Sequence, residues 1–177
     1  MSDVENIENV YKRFTEIVEK LANPGITNFV EATGEDLIMS PANAQEDEYG
    51  CCSAGLIEFG LLLSQHMRKL NLVSDFQIDT KSIYTVAFLR AFGEYGTSEV
   101  KMFQPHDSDW HIEKLGLLYK RNPKLNGTNW VQRSVELSFS FGIKLTSEQI
   151  MALQTAVNDT PANNLGKLLK SATLLIL

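Results

Sequence analysis

The sequence lacks any hydrophobic run that is long enough to cross a membrane as a helix. It also lacks a basic cluster, because its sixteen Lys and Arg residues are scattered and the formal net charge is −6 at pH 7. Binding to the phosphate backbone of a nucleic acid needs a basic stripe. We therefore expect neither a membrane nor a nucleic acid as a partner.

Cysteine is scarce, and the two cysteines, Cys51 and Cys52, are adjacent. Neighbouring cysteines rarely form a disulfide, because the small ring that it would close distorts the peptide geometry. The first residues are acidic, unlike those of a secretory signal. Both features predict a reduced protein of the cytoplasm.

The spacing of the apolar residues predicts one mainly helical domain that covers residues 1–177. The predicted helices span about residues 7–21, a short stretch after 27, 55–70, 80–93, 129–141, a segment from Thr146 and a segment from Pro161. Two short strands are predicted at about 100–103 and 117–120. The apolar residues at 174–177 are expected to pack into the core.

Capping residues mark several of the predicted helix starts. Asp79 or Thr80 is the predicted cap of one helix, and Thr146 has the capping-box spacing to Gln149. Thr160 is the predicted cap of the last helix, since a proline at the next position suits the first helical residue.

One short segment concentrates side chains that bind metals, namely His106, Asp107, Asp109 and His111. It is either a metal site or a polar loop that Trp110 anchors to the core. The loop is the favoured interpretation, because ligands so close together in an irregular segment seldom converge on one ion. No second cluster elsewhere in the sequence supplies further ligands.

Nucleophilic catalysis has little support in the sequence. Neither Cys51 nor Cys52 belongs to a Cys/His arrangement, and no Gly-rich phosphate loop, Cys-x-x-Cys or Gly-x-Ser-x-Gly occurs. His66 lies within an apolar helical pattern, which is typical of a structural, partly buried histidine. The residues alone therefore name no active site.

Several fragments occur in an order that carries a resemblance. They are Ser40-Pro41-Ala42, Ala54-Gly55-Leu56-Ile57-Glu58, Phe88 to Gly96, Trp110 with Glu113-Lys114-Leu115-Gly116 and Tyr119, Leu145 to Leu153, and Leu165 to Ala172. Together they resemble the small HD-domain phosphohydrolases, particularly those of bacteriophage genomes. The resemblance implies an HD-like helical bundle with a small β-hairpin over residues 38–175, preceded by a helical extension at 1–37.

The chain departs from this family at the positions of the metal ligands. Active members hold it with a His on one helix, a His-Asp pair on the next and an Asp on the last. The corresponding positions here are Phe59, Arg90, Ala91 and Thr173, and an auxiliary His position corresponds to Ala156. Phenylalanine and alanine offer no lone pair, and a guanidinium repels a divalent cation. The resemblance therefore implies a protein without catalysis, metal or other cofactor.

Three functional hypotheses follow from this departure. The first is a phage-encoded interaction, assembly or virion-associated protein, located in the host cytoplasm or the virion, which has a protein partner or forms a homo-oligomer. It predicts an exposed apolar patch. The second is a non-hydrolysing nucleotide- or anion-binding module in the vestigial pocket, and its candidate contacts are Arg90, Trp110, Lys114 and Tyr119.

The third hypothesis keeps a metal-dependent nucleotide phosphohydrolase, with its metal relocated to the segment between His106 and His111. For Arg90 the sequence also offers a purely structural role. In that role it forms an ion pair with Glu58 or with Glu94, the latter four residues further along the same helix.

Overall fold

The computed structural model describes residues 3–176, so Met1, Ser2 and Leu177, the ends of the predicted domain, lie outside it. Within that range the fold is mainly helical with a small antiparallel hairpin, as predicted. The helices are α1 (Asp3–Leu21), α2 (Pro24–Ile38), α3 (Gly55–Ser74), α4 (Thr80–Tyr95), α5 (Asp109–Leu115), α6 (Trp130–Phe141), α7 (Ser147–Thr155) and α8 (Asn164–Leu174). The strands are β1 (Phe103–Pro105) and β2 (Tyr119–Arg121), and a 3-10 turn follows at Pro123–Leu125.

Helix α4 is the centre of the bundle. Most of its residues are buried, on all sides of the helix, which is the pattern of a helix enclosed by others. Helices α3 and α6 make its most extensive contacts, and α8 packs against α3. An aromatic cluster joins α4 to the first two helices: the Phe14 and Phe88 ring centroids are 5.0 Å apart, and those of Phe29 and Phe92 are 4.4 Å apart.

The helix boundaries follow from side-chain caps. The residues that directly follow α1 start α2, because the Asn23 side chain accepts a hydrogen bond from the Gly25 amide and Pro24 takes the first helical position. Asp79 caps α4. The capping box of Thr146 and Gln149 is present at α7.

Three sequence predictions were wrong in detail. Helix α8 begins at Asn164 with Asn163 as its cap, because the Asn163 carboxamide accepts from the Gly166 amide. The strands lie further along the chain than predicted, and α5 occupies the segment between them. Of the apolar residues at 174–177, Leu174 and Leu175 are exposed, Ile176 packs against the core as predicted, and Leu177 lies outside the described residues.

Helices α4 and α6 approach closely at Gly93. A β-carbon at this position would collide with the Trp130 carbonyl oxygen and the Ser134 hydroxyl. The Ser134 hydroxyl donates a 2.6 Å hydrogen bond to the Leu89 carbonyl, so the two backbones are joined at the same point. This close crossing sets the distance between Arg90 and Glu94 on α4 and the side chains of α6.

No helix within residues 3–176 is both long enough and apolar enough to cross a membrane.

Replacing Gly93 by alanine should destabilise the fold by about 2 kcal/mol or more, because the new methyl group meets backbone atoms that cannot move independently. Gly60→Ala is the matched control on α3, since its methyl group would meet the Phe88 ring at 3.2 Å and the Ala91 β-carbon at 3.3 Å, contacts that are much less close than those at Gly93. Urea unfolding of both variants measures the difference. A Gly93→Ala protein as stable as Gly60→Ala would contradict the close crossing.

Candidate functional site

The most unusual cluster in the structure is a group of arginines around one carboxylate. Arg90 and Glu94 lie one turn apart on α4, and Arg133 lies on α6. Arg121 is the last residue of β2. Glu94 is the one acidic residue that forms ion pairs in this cluster.

Arg90 is buried, with 6% of its surface exposed. Its guanidinium carbon lies 4.6 Å from the ring centroid of Trp130 and 5.4 Å from that of Phe59, so cation–π contacts help to hold it. Burial lowers the pKa of Arg90 and the Glu94 carboxylate opposes the shift. The side chain remains a fixed positive charge, because guanidinium groups do not lose their proton in proteins.

Glu94 binds two arginines at once. Its Oε1 accepts from Arg90 Nη1 at 2.8 Å, and its Oε2 accepts from Arg133 Nη2 at 3.0 Å. The sequence-based pairing of Arg90 with Glu94 is thus confirmed, and the alternative pairing with Glu58 is not seen. Arg133 also donates to the backbone carbonyls of Gly93 and Thr128, so its guanidinium serves the α4–α6 contact.

Arg90 keeps donors that the protein does not use. Its hydrogen bond within the described chain is the one to Glu94. No fully buried side-chain nitrogen or oxygen within residues 3–176 lacks a partner. The remaining N–H groups of Arg90 are therefore not fully enclosed by the protein, and the side chain lines two cavities.

The first of these, which we name the arginine cavity, has a volume of about 190 Å³ and is lined by Ala42, Asn43, Phe59, Arg90, Glu94 and Arg121. Arg121 is exposed and has no ion pair within 4 Å in the described part of the chain. Burial lowers the pKa of Arg133, and the positive charges of Arg121 and Arg90 lower it further. The Arg133 guanidinium is therefore close enough to those of Arg121 and Arg90 to be repelled by both.

The second cavity has a volume of about 250 Å³ and lies beside the same Arg90 side chain. Trp130, Leu169 and Leu174 supply apolar walls, while Lys170 and Thr173 add polar groups. The Thr173 hydroxyl donates to the Leu169 carbonyl at 2.8 Å. Arg90 thus belongs to both cavities.

The positions at which the HD resemblance implies metal ligands lie mostly around Arg90. Phe59 lines the arginine cavity with it, and Thr173 and Ala156 line the second cavity with it. Ala91 packs against Gly60 between α3 and α4. A divalent metal does not fit these residues, because they offer one hydroxyl group, an apolar ring and a fixed positive charge.

The other candidate ligand contacts lie apart from Arg90. Trp110 and Lys114 are exposed on α5, and Tyr119 lines a separate groove beside Lys101. None of these three lines either cavity of Arg90. The aromatic side chains that contact Arg90 are Trp130 and Phe59, and Trp110 is not among them.

The segment between His106 and His111 follows β1 and includes the start of α5. The two imidazole rings stack at 4.4 Å, and each Nδ1 is tied to Ser108, one to its amide and the other to its hydroxyl. The carboxylate of Asp107 binds Lys120 at 2.8 Å. Within residues 3–176 no group of three His, Cys, Asp or Glu residues converges to hold a metal ion.

Sequence reasoning missed Trp130, Arg121 and Arg133. Trp130 is the first residue of α6, directly after the Asn129 cap, and this position was the only sequence feature that marked it. The close crossing with α4 beside it is visible only in the structure. Arg121 lies in a short strand whose predicted span ended one residue earlier. A single arginine in a helix, such as Arg133, carries no sequence sign that it reaches α4.

Replacing Glu94 by glutamine should lower the free energy of unfolding by about 3 kcal/mol, because two buried guanidinium groups lose the carboxylate that they share. Glu99→Gln is the control, since Glu99 is an exposed carboxylate and should change stability by less than about 0.5 kcal/mol. Chemical denaturation of the two variants gives the comparison. Equal stabilities would mean that the cluster contributes nothing to folding.

The Cys51 thiol should react slowly with alkylating agents. Burial raises its pKa to about 11, and Cys52 and nearby acidic residues raise it in the same direction. A raised thiol pKa leaves the unreactive protonated form in excess at neutral pH, and the thiolate grows only as the pH approaches 11. In a Cys52→Ser protein the contribution of Cys52 is lost but the burial of Cys51 remains, so iodoacetamide labelling should still accelerate above pH 9. A rate that levels off below pH 9 would contradict the burial of this thiol.

No protein-family model matches this chain, and neither a curated protein nor a solved structure matches it. What the molecule does has to be inferred from its own residues, above all from the arginines around Glu94 and the cavities beside Arg90.

Proposed function

We propose that this protein is a non-catalytic binding module, built on a degenerate HD-like scaffold, which holds a phosphate group in the arginine cavity. The observation that carries the proposal is the charge of this cavity. Arg90 and Arg121 line it together with a single carboxylate, that of Glu94, and this carboxylate is already shared with a third arginine, Arg133, which does not line the cavity.

The charge excess favours a dianion. One carboxylate neutralises one of the three guanidinium groups, which leaves two positive charges without a counter-charge in the cluster. Arg90 and Arg133 are buried, and a charge removed from water is costly unless it is paired, whereas Arg121 is exposed and adds its charge from the solvent side. A phosphate monoester carries between one and a half and two negative charges at pH 7, so it balances the excess better than a single carboxylate does.

The guanidinium chemistry fits the same ligand. Arginine presents its donors in a planar fork that matches the oxygens of phosphate, and such charge-assisted hydrogen bonds are about twice as strong as neutral ones. Arg90 has free N–H groups at the cavity wall and is fixed between Phe59 and Trp130. A donor that is already held in place loses little entropy when it binds.

The size of the cavity limits the ligand. Pockets that enclose drug-sized molecules have volumes of about 300–1,000 Å³, whereas the arginine cavity has about 190 Å³. It therefore takes the phosphate group of a ligand, or inorganic phosphate, and not a whole nucleotide. Any nucleoside attached to the phosphate would extend outside this cavity.

The non-catalytic part of the proposal is supported by the donor set. The positions that correspond to metal ligands in active HD proteins hold Phe59, Arg90, Ala91 and Thr173, which suit anion binding or packing instead of metal coordination. Their grouping around Arg90 supports the HD-like scaffold. The phage origin and the cytoplasmic or virion location are part of the same proposal and rest on the resemblance.

A second candidate function is assembly with another protein chain. It is favoured by the exposed apolar side chains of the last three helices and of the residues that follow them. These are Phe139, Ile150, Met151, Val157, Leu174 and Leu175. Such side chains are common singly, but their concentration in one part of the chain favours an interaction surface.

Titration calorimetry with inorganic phosphate and with adenosine monophosphate tests the binding proposal. Two charge-assisted contacts correspond to a Kd of about 1 mM or lower. Arg121→Gln should weaken binding about tenfold, because it removes one such contact without disturbing the core. Lys120→Gln is the matched control: the neighbouring lysine on β2 pairs with Asp107 and does not line the cavity.

The pH dependence gives a second readout. The arginines stay charged, whereas a phosphate monoester loses its second charge as the pH falls below about 6. Binding of the monophosphate should therefore be tighter at pH 7.5 than at pH 5.5. No detectable binding of either ligand, or equal losses in Arg121→Gln and Lys120→Gln, would overturn the proposed function.

A further inference from the structure

The surface between α6 and α7 contains an apolar groove that is separate from the arginine cavity. It has a volume of about 260 Å³, and its lining includes Val135, Ile143, Leu145 and Ile150 but no charged residue. Phe139 stands on its rim with 84% of its surface exposed. The face therefore carries a protruding aromatic ring beside a recess of apolar character.

From this arrangement we infer that the groove binds a second copy of this chain, so that the Phe139 ring of each copy enters the groove of the other. A twofold axis beside Phe139 produces this exchange, since in a twofold interface the same patch serves both partners. The groove and the ring that fills it are then supplied by one sequence. This inference goes beyond the phosphate-binding function and uses none of its residues.

The charge distribution agrees with a second copy as the occupant. The chain has a net charge of −6, so two copies repel each other over most of their surfaces. Residues 137–157 carry no net charge, because Lys144 and Glu148 are the only charged residues among them and their charges cancel. This segment therefore adds no net repulsion between two copies.

The charges of Lys144 and Glu148 are also opposite in sign, so this pair can match the same pair on a second copy. Lys144 lies between the groove residues Ile143 and Leu145, and Glu148 lies in the first turn of α7, just before Ile150. Both are exposed, and neither has an ion pair within 4 Å in the part of the chain that is described. A twofold arrangement allows Lys144 of each copy to meet Glu148 of the other.

The area that the interface buries sets the expected affinity of the dimer. Two phenylalanine side chains together bury roughly 300–400 Å² when they are fully covered, while a specific interface needs about 1,200 Å² in total. Ile150 and Met151, which are partly exposed on α7, and the polar groups around the groove supply further area. An interface near the lower size limit is expected to be a dimer that dissociates in the micromolar range.

Sedimentation velocity of the full chain over about 1–300 µM tests this inference. The wild type should shift from monomer to dimer, and Phe139→Ser should remain monomeric throughout the range. Val73→Ser is the matched control, since Val73 is an equally exposed apolar residue on α3 outside the groove and its variant should still dimerise. Phe139 is too exposed for its replacement to unfold the protein.

Charge exchange tests the twofold geometry itself. Lys144→Glu and Glu148→Lys should each weaken the dimer at least tenfold, because each variant places like charges opposite each other. A mixture of these two variants should form a heterodimer in which both contacts are attractive. A wild type that stays monomeric, or a dimer that is indifferent to Phe139 and to both charge changes, would overturn the inference whether or not phosphate binds.

Discussion

The shared carboxylate of Glu94 is the interaction on which the centre of the molecule depends. It joins Arg90 on the central helix to Arg133 on α6, at the point where Gly93 lets the two helices meet. A buried guanidinium without a partner is strongly destabilising, so the two arginines are tolerated only because this carboxylate lies between them. The same arrangement leaves Arg90 rigid, with donors facing open space.

The carboxylate of Glu94 does not balance all of the positive charges around it, and the proposed anion binding depends on this excess. A fully balanced cluster would be structural and nothing more. Here Arg121 adds a third positive charge from the hairpin, and the hairpin itself is held in place by its own small core, which includes Met102, Phe103 and Leu125. The sheet thus serves to present Arg121 to the cavity, which helix packing alone would not do.

The sequence predicted the helices well because their signals are local. Apolar spacing marks α1 and α3, and side-chain caps mark α4 and α7. The Arg90–Glu94 pair was predictable for the same reason, since its partners are one helical turn apart. The contacts of Arg90 with Trp130 and of Glu94 with Arg133 join residues about forty positions apart, and nothing in a local pattern selects them. Trp110 was chosen in place of Trp130 because it stands in the resembling fragment, although the fold puts it on exposed α5.

Helix α6 links the two proposed surfaces and also keeps them separate. Arg133 and Ser134 are buried against α4, whereas Phe139 lies a turn and a half further along and faces outward at the groove. The inward side of α6 needs charge balance and a close crossing, so its residues cannot change without loss of stability. The outward side makes no such contacts, and an exposed phenylalanine gives a single copy of the chain no folding advantage. A ring that folding does not require, beside a groove that it fits, is most simply explained by binding.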